Sequence, residues 1–204
     1  MDLRRYKYEW KKLQDSVLSI NNSFSENNYP SILTALLIVG EDHRYYSHNG
    51  VDLIAICRAT WRTVFCKRRE GGSTIAMQLV RVITGRYEKT LSRKAMEIYL
   101  AVKLTNMLQN DEIPELYLSV AYFGWRMNGL SQACERLKIN ITELSFKDAA
   151  NLVARLKYPE PKICSIYRAE QIQIRRDYII SKYNKLYDST IVAHHELKKS
   201  NGSI

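Results

Sequence analysis

The sequence predicts a mainly α-helical protein that folds as a single domain. Its 204 residues, 46% of them hydrophobic, are enough to bury one core. Helix-forming residues dominate, and continuous β-branched runs bounded by turns are scarce. No repeat or low-complexity segment marks a boundary. We therefore expect one unit over residues 1–204, with a lead-in helix and loop over 1–28, a motif-bearing core over 31–161, and a C-terminal helix and tail over 162–204.

Local signals place the helices of this unit. Residues 31–42 read as a helix opened by Pro30, and residues 92–108 as another. Asp111 is a candidate N-cap for a helix ended by Gly124, and Ser145 opens a capping box whose helix stops before Pro159. A last helix is expected over 169–187. His194 and His195 then fall in a tail that we expect to be frayed.

The first predicted helix has an apolar stripe. Its members recur at steps of three and four residues: Leu3, Tyr6, Trp10, Leu13, Val17 and Ile20. Basic residues flank the stripe, so it can either pack on the domain or lie in a lipid interface. A polar loop is expected over 21–28.

The chain carries a formal charge of +10, from 31 Lys and Arg against 21 Asp and Glu. This surplus favours an anionic partner, whether nucleic acid, an anionic membrane surface or a pyrophosphate-linked substrate. Nucleic-acid binding rests on charge alone, because no recognised DNA- or RNA-binding motif accompanies it.

The cysteines and the apolar segments argue against a zinc site, a signal peptide and a membrane span. The cysteines lack metal-ligand spacing, so we expect buried free thiols rather than a zinc site: Cys57, Cys66, Cys134 and Cys164. Residues 1–20 lack the apolar core of a signal peptide. The longest apolar stretch, 32–39, is far shorter than the ~20 residues of a membrane span.

Charged residues follow that apolar stretch directly. Residues 40–50 contain two carboxylates, two imidazoles and one guanidinium. A carboxyl group such as Glu41, placed against apolar surface, has its pKa raised toward the range in which it exchanges protons near neutral pH. The alternative is a helix end that breaks into a polar turn.

Two later segments add polar groups at helical spacing. Residues 71–74, Gly-Gly-Ser-Thr, read as a turn into an N-cap, where helix N–H groups can face an anion. Gln78 and Arg81 follow on one helix face. Lys94 and Glu97 share another face, and the alternative for them is an exposed ion pair contributing a few tenths of a kcal/mol.

Four of these blocks match family patterns in order. They are E-D-x-x-[FY]-x-x-H-x-G over 41–50, G-G-S-T-I-x-x-Q-L over 71–79, R-K-x-x-E over 93–97 and Y-L-x-x-x-Y-F-G over 117–124, with a fifth block at 148–154. Together they resemble the peptidoglycan glycosyltransferases of family 51, which polymerise lipid II into glycan strands. The resemblance covers residues 31–161. It implies a lysozyme-like helical domain with a smaller membrane-facing lobe.

The resemblance also implies roles for individual residues. Glu41 would be the base that takes the proton of the attacking 4-hydroxyl. Glu97 would orient the cations that stabilise the departing pyrophosphate, or help to hold a divalent ion, Mg or Mn, although no cofactor is firmly indicated. The expected outcome is inversion at the anomeric carbon. The residues expected to bind substrate are Asp42, His48, Ser73, Thr74, Gln78, Arg81, Lys89, Arg93 and Lys94.

The expected lobe lies between the first two blocks. Apolar residues within 51–65 alternate there with basic ones, which suits anionic headgroups, or else forms a solvated basic face. The basic members are Arg58, Arg62, Lys67, Arg68 and Arg69. The expected partners are lipid II, the growing glycan strand, the membrane surface and a cell-wall synthesis protein. The resemblance places the protein peripherally on the outer face of the cytoplasmic membrane. With no export signal or span seen, the cytoplasm stays open.

The chain departs from the family pattern at three points, which include Arg81 in place of the usual Lys and Ser119 in place of the usual Asn. Ala76-Met77 stands where Thr-Gln is common, and this would remove two polar contacts. The alternative function is therefore a catalytically weak relative that binds lipid II or anionic membrane as a regulatory module. Hydrolysis of a glycosidic bond is disfavoured, because the dense cations suit a pyrophosphate leaving group better than the paired carboxylates of a hydrolase.

Overall fold

The computed structural model describes the backbone of residues 3–24, 29–67 and 71–201, and the side chains of these residues except 23, 24 and 188–201. Its helices are α1 Leu3–Phe24, α2 Ser31–Glu41, α3 Leu53–Phe65, α4 Ile75–Thr84, α5 Leu91–Met107, α6 Glu112–Val120, α7 Leu130–Leu137, α8 Phe146–Lys157 and α9 Ile166–Asn201. Short 3₁₀ turns lie at Tyr45–Ser47 and Ile141–Glu143. Strands β1 Tyr122–Gly124 and β2 Met127–Asn128 pair antiparallel. The mainly α, lysozyme-like fold class is confirmed.

The core is built around α2, α4 and α8. The almost wholly apolar α2 packs on α8, α4 packs on α5 and α6, and α9 lies across α8 and α2. Gly40 permits the close approach of α2 to its neighbours, because an added Cβ would lie 3.3 Å from Val153 and 3.4 Å from Ile179. The end of α2, which carries Glu41, is therefore pressed against α8 and α9.

Two of the three predicted capping signals are confirmed, whereas Asp111 precedes α6 without a side-chain capping hydrogen bond. Thr74 is the N-cap of α4, and its Oγ1 accepts the N–H of Met77 at 3.2 Å. Ser145 is the N-cap of α8, where it accepts the N–H of Asp148 at 3.1 Å and donates to that carboxylate at 2.6 Å. The observed α2 and α5 agree with the predicted 31–42 and 92–108 to within one residue at each end.

Three predicted ends differ from the structure. The helix expected to reach Gly124 stops at Val120, because the chain turns into the β1–β2 hairpin, with Gly124 at φ 146 and Gly129 at φ 85. Helix α1 continues through residue 24, so 21–24 are helical, and the rest of the predicted loop lies outside the described residues. Helix α9 continues to Asn201, so His194 and His195 belong to a helix rather than a frayed tail. Neither 21–24 nor 166–201 contains Gly or Pro.

The apolar stripe of α1 packs on the domain. Leu13 and Val17 are 1% and 0% exposed, and Tyr6, Trp10 and Ile20 are packed partly buried against the core. The packing interpretation is thus confirmed for this part of the stripe, in place of the lipid-interface alternative. Leu3 is exposed.

The expectation of buried thiols is wrong at three positions. Cys134 is buried, whereas Cys57, Cys66 and Cys164 are exposed. For Cys57 and Cys66 the reason is their place on or next to α3, a helix in which Ala59 alone is buried. None of the described helices is both long and apolar enough to cross a membrane.

Helix α3 stands out from the core as the smaller lobe. Its exposed apolar residues are Leu53, Ile54, Trp61, Val64 and Phe65. The rings of Trp61 and Phe65 lie 4.2 Å apart, so the exposed surface includes a continuous aromatic patch. Arg68 and Arg69 of the predicted basic cluster lie outside the described residues. That this lobe faces a membrane stays a prediction.

Candidate active site

A cleft of about 620 Å³ opens where α2 ends. Its walls come from α3, the turn before α4, α4 itself, and α8 with α9. Six of the predicted site residues line it: Glu41, Asp42, Ser73, Thr74, Gln78 and Arg81. The other five, His48, Lys89, Arg93, Lys94 and Glu97, are not among the residues that line this cleft.

Glu41 is held by two donors from different helices. Its Oε1 accepts a hydrogen bond from Arg175 Nη2 at 2.9 Å, and its Oε2 accepts one from Gln78 Nε2 at 3.2 Å. Arg175 Nη2 also donates to the Gly40 carbonyl at 2.7 Å. The Glu41 side chain is 14% exposed, so it is oriented and largely desolvated while it still reaches the cleft.

Gln78 is in turn fixed by Tyr117. The Tyr117 hydroxyl donates to Gln78 Oε1 at 2.8 Å, which directs the amide nitrogen toward Glu41. Burial and the nearby negative charge of Glu41 raise the pKa of Tyr117, so this phenol remains a protonated donor at neutral pH. Tyr117 is 4% exposed, and its link to Glu41 was not foreseen from the sequence.

The carboxylate of Asp42 lies at the N-terminus of α4. Its Oδ2 accepts the N–H of Ile75 at 3.1 Å, and its Oδ1 bonds to His48 Nε2 at 2.9 Å. Thr74 donates to the Gly50 carbonyl at 2.6 Å. An anion does lie at this helix start, as the turn sequence suggested, but it is a carboxylate of the chain itself.

A second carboxylate lies behind the cleft, surrounded by cations. Glu97 is 3% exposed, and its Oε1 accepts bonds from Arg81 Nη2 at 2.9 Å and Lys94 Nζ at 2.8 Å. Its Oε2 accepts from Arg81 Nε at 3.1 Å and from Arg93 Nη1. The alternative of an exposed ion pair is therefore wrong, because three cations converge on one buried carboxylate.

Ser73 joins this cluster to the cleft. Its Oγ accepts from both Arg81 Nη2 and Lys94 Nζ, each at 3.1 Å. Burial alone would raise the pKa of Glu97, but the hydrogen bonds and charges of Arg81 and Lys94 outweigh it and lower that pKa. Burial also lowers the pKa of Lys94, although Glu97 opposes the shift. Lys89 is exposed and takes no part in these contacts.

The opposite wall carries cations that sequence reasoning missed: Lys157, Arg175 and Lys182. Desolvation and the Arg175 guanidinium lower the pKa of both lysines, while Glu41 opposes the shift. No sequence signal could have gathered them, since Lys157 and Arg175 come from α8 and α9 and each lies more than a hundred residues after Glu41.

The argument that Ala76-Met77 removes polar contacts from the site is wrong. Ala76 is 1% exposed and Met77 is 0% exposed, and neither lines the cleft. They lie on the core face of α4, whereas Gln78 and Arg81 face the cleft. The departure therefore changes core packing and leaves the cleft wall unaltered.

The residues around Glu97 do not fit a protein-held divalent ion. Both oxygens of Glu97 are already occupied by Arg81, Arg93 and Lys94. Within the described ranges, no group of three or more His, Cys, Asp or Glu side chains could hold a metal ion. The positive charge of this site is supplied by side chains.

Comparison with known proteins identifies the family of the chain. A family model described as transglycosylase matches residues 13–184. Penicillin-binding protein 1A of Rickettsia typhi is 29% identical over 182 residues, covering 87% of this chain and 23% of that protein. Penicillin-binding protein 1A of Escherichia coli is 32% identical over 155 residues, covering 75% and 18%, and penicillin-binding protein 1F of Bacillus subtilis is 32% identical over 163 residues, covering 78% and 22%.

This chain thus spans less than a quarter of the length of each of these three relatives. The match nevertheless extends from α1 into α9 and includes both carboxylates and their cations. It confirms the resemblance carried by the sequence blocks, and the chain belongs to the transglycosylase family.

Proposed function

We propose that the chain is a peptidoglycan glycosyltransferase that polymerises lipid II into glycan strands, with inversion and release of polyprenyl pyrophosphate. The observation that carries the proposal is the position of Glu41 between two cationic groups. Arg81 and Lys94 meet at Ser73 on one side, and the cations of α8 and α9 line the other. Such a site suits a reaction in which both substrates carry a pyrophosphate.

Glu41 acts as the general base. A sugar hydroxyl is a weak nucleophile until its proton is removed as the new bond forms, and a desolvated carboxylate can accept that proton. Arg175 neutralises Oε1, whereas Oε2 accepts only the longer bond from the neutral amide of Gln78 among the described contacts. Oε2 is therefore the oxygen that takes the proton.

The Ser73 side stabilises the leaving group. As the glycosidic bond breaks, negative charge grows on the pyrophosphate, and fixed cations lower the energy of that state. Arg81 and Lys94 are held in place by Glu97. Because Glu41 removes a proton and does not attack the sugar, the transfer is one displacement and the anomeric configuration inverts.

The second cationic group binds the acceptor. Lys157 and Lys182 lie with Arg175 on the α8–α9 wall, beside the base rather than beside Ser73. Their charge matches the pyrophosphate of the lipid II whose 4-hydroxyl is deprotonated. Arg175 thereby has two tasks, because it orients Glu41 and adds to this anion-binding wall.

Membrane contact is assigned to α3. Its exposed Trp61 and Phe65 would enter the headgroup region, with basic side chains of the same helix beside them. We infer a peripheral position on the outer face of the cytoplasmic membrane, as the family resemblance implies. A cell-wall synthesis protein remains a proposed partner.

The test is polymerisation of labelled lipid II, with products resolved by size and the inhibitor moenomycin as a specificity control. Glu41→Gln should abolish polymer in a protein that still folds, because it preserves the shape of the side chain, although the melting temperature should fall because Arg175 loses its counter-charge. Glu170→Gln, which changes an exposed residue of α9, is the matched control and should retain full activity. Retained turnover in Glu41→Gln would overturn the assignment of the base.

The alternative of a regulatory module has lost its main support, since Ala76 and Met77 are buried away from the cleft. Saturable lipid II binding by the parent protein with no polymer formed would restore it.

A further inference from the structure

Three cations surround the indole of Trp125 in the turn between β1 and β2. The Cζ atoms of Arg126 and Arg136 each lie 4.6 Å from the ring centre, and Lys162 Nζ lies 5.4 Å from it. Trp125 is half-buried, whereas all three cations are exposed. No carboxylate in the described part of the chain forms an ion pair with any of them. The charge of this group is therefore open to an anionic ligand.

The backbone holds this group in a defined position. The Trp125 N–H donates to the Glu160 carbonyl at 2.7 Å, and the Glu160 N–H donates to the Phe123 carbonyl at 3.0 Å. Arg126 has φ 55, in the left-handed region that costs a non-glycine residue about 1 kcal/mol. The contacts of the indole with both guanidiniums restrict those side chains before any ligand binds, which reduces the ordering cost of binding.

The group is connected to the cleft by a short stretch of chain. Lys157 lines the cleft, and Lys162 lies over Trp125. The five steps between these residues span at most about 17 Å. Tyr158, within this stretch, has Lys157 Nζ 5.7 Å and Arg168 Cζ 5.8 Å from its ring centre. Aromatic rings flanked by cations thus continue from the cleft wall to the hairpin.

We propose that this surface, the basic track of Lys157, Arg168, Lys162, Arg126 and Arg136, binds the growing glycan strand outside the cleft. The inference rests on the proposed function. A strand built from lipid II carries a carboxylate-bearing peptide on every second sugar, so it presents anions at intervals. Guanidiniums suit such groups because they bind carboxylates through two parallel hydrogen bonds.

The arrangement of the track favours a glycan over other anionic polymers. A strand that grows by addition of units in the cleft must cross the adjoining surface. The track begins at Lys157, a residue of the cleft wall. Its charges lie around two aromatic rings, Tyr158 and Trp125, whereas a single lipid headgroup would need only one such cluster. Anionic membrane and nucleic acid remain as outcomes of the test.

The test measures binding of the full chain to soluble, uncrosslinked glycan strands that carry their peptides. The probe variant is Arg126→Ala with Lys162→Ala, and the matched control is Lys11→Ala with Lys12→Ala, which removes the same charge from exposed positions of α1. We expect binding to weaken about tenfold in the probe variant, as for loss of one charge-assisted hydrogen bond. The control should stay within about twofold of the parent protein, as for additive surface changes.

Two comparisons identify the ligand. Strands whose carboxylates have been chemically amidated should bind the parent protein at least as weakly as intact strands bind the probe variant. Phosphatidylglycerol vesicles and duplex DNA should bind the probe and control variants equally, because both variants have lost the same charge. Equal binding of intact strands to parent and probe variant would overturn the proposal, and so would a loss confined to vesicles or DNA.

Repeating the binding measurement in Glu41→Gln separates this inference from the proposed function, because binding needs no turnover. Strand binding that depends on the track, together with a parent protein that forms no polymer, would reject the proposed function and keep the track. Polymerisation of lipid II by the parent protein, with strand binding unchanged in the probe variant, would keep the proposed function and reject the track.

Discussion

Replacing Glu97 by Gln tests how the cationic cluster is held together. Glu97 is 3% exposed and accepts bonds from Arg81, Lys94 and Arg93, whose side chains are 27%, 29% and 16% exposed. The variant leaves three cations without their counter-charge. Removing one partner of a buried ion pair costs about 3–5 kcal/mol, and the partial exposure of the cations favours the lower end. Since a chain of this size loses about 2–4 °C per kcal/mol, the melting temperature should fall by roughly 6–12 °C.

Urea unfolding of the parent protein and Glu97→Gln at pH 7 measures this cost. Asp177→Asn is the control, because Asp177 is 56% exposed and pairs with its neighbour Arg176, so the change should cost at most about 1 kcal/mol. The pKa of Glu97 is lowered in the folded state, so its stabilisation is complete above the ordinary Glu value and disappears as pH falls through the folded-state pKa. The two proteins should therefore converge on acidification. An unfolding free energy for Glu97→Gln within about 0.5 kcal/mol of the parent protein at pH 7 would refute the reasoning, since surface changes cost no more than that.

Two further predictions concern the β1–β2 hairpin and the start of α3. Gly124→Ala should destabilise by several kcal/mol or prevent folding, because the new Cβ would lie 2.3 Å from the Glu160 carbonyl oxygen at a backbone φ of 146, whereas Gly71→Ala meets nothing within 4 Å and should leave the melting temperature unchanged. Asp52→Asn should cost about 1 kcal/mol at neutral pH, because Asn keeps the capping oxygen of α3 but loses the charge that pairs with Arg44 Nε at 3.0 Å. Burial opposes ionisation of Asp52, but the Ala55 N–H and the Arg44 charge together outweigh burial and lower its pKa, so this cost should shrink as pH falls through the folded-state value in urea titrations. A cost for Asp52→Asn that does not change with pH would contradict this cause.

The parts of the fold that depend on residues close together in the sequence could be predicted from it. Thr74 and Ser145 cap helices because a hydroxyl reaches an N–H three residues ahead, a relation that sequence spacing contains. The α1 stripe could be located in the same way, although its burial could not be distinguished from lipid contact. The end of α6 could not be predicted, because hairpin contacts with Glu160 decide it.

The candidate site was predictable in its residues but not in its connections. Glu41 and Glu97 were named from motif blocks, and the structure makes both of them centres of hydrogen bonding. Arg175 was missed because 134 residues separate it from Glu41, and its place in the sequence is that of any polar residue on a long helix. The environment of Glu97 could not be predicted either, because Arg81 contacts it from another helix. The apparent surface pair of Lys94 and Glu97 is therefore part of a buried cluster.

The bond from Asp42 to the start of α4 has a consequence for how the two sides of the cleft respond to ligands. Asp42 follows the base in the chain and is anchored to the N–H of Ile75, while Ser73, two residues earlier in the chain than Ile75, receives the hydrogen bonds of Arg81 and Lys94. Under the proposed function, a ligand on the Ser73 side that displaced the start of α4 would also displace Glu41, through the Asp42 side chain and one peptide unit. We therefore expect occupancy of the two sides to be coupled, and by reciprocity each ligand would change the affinity for the other by the same factor.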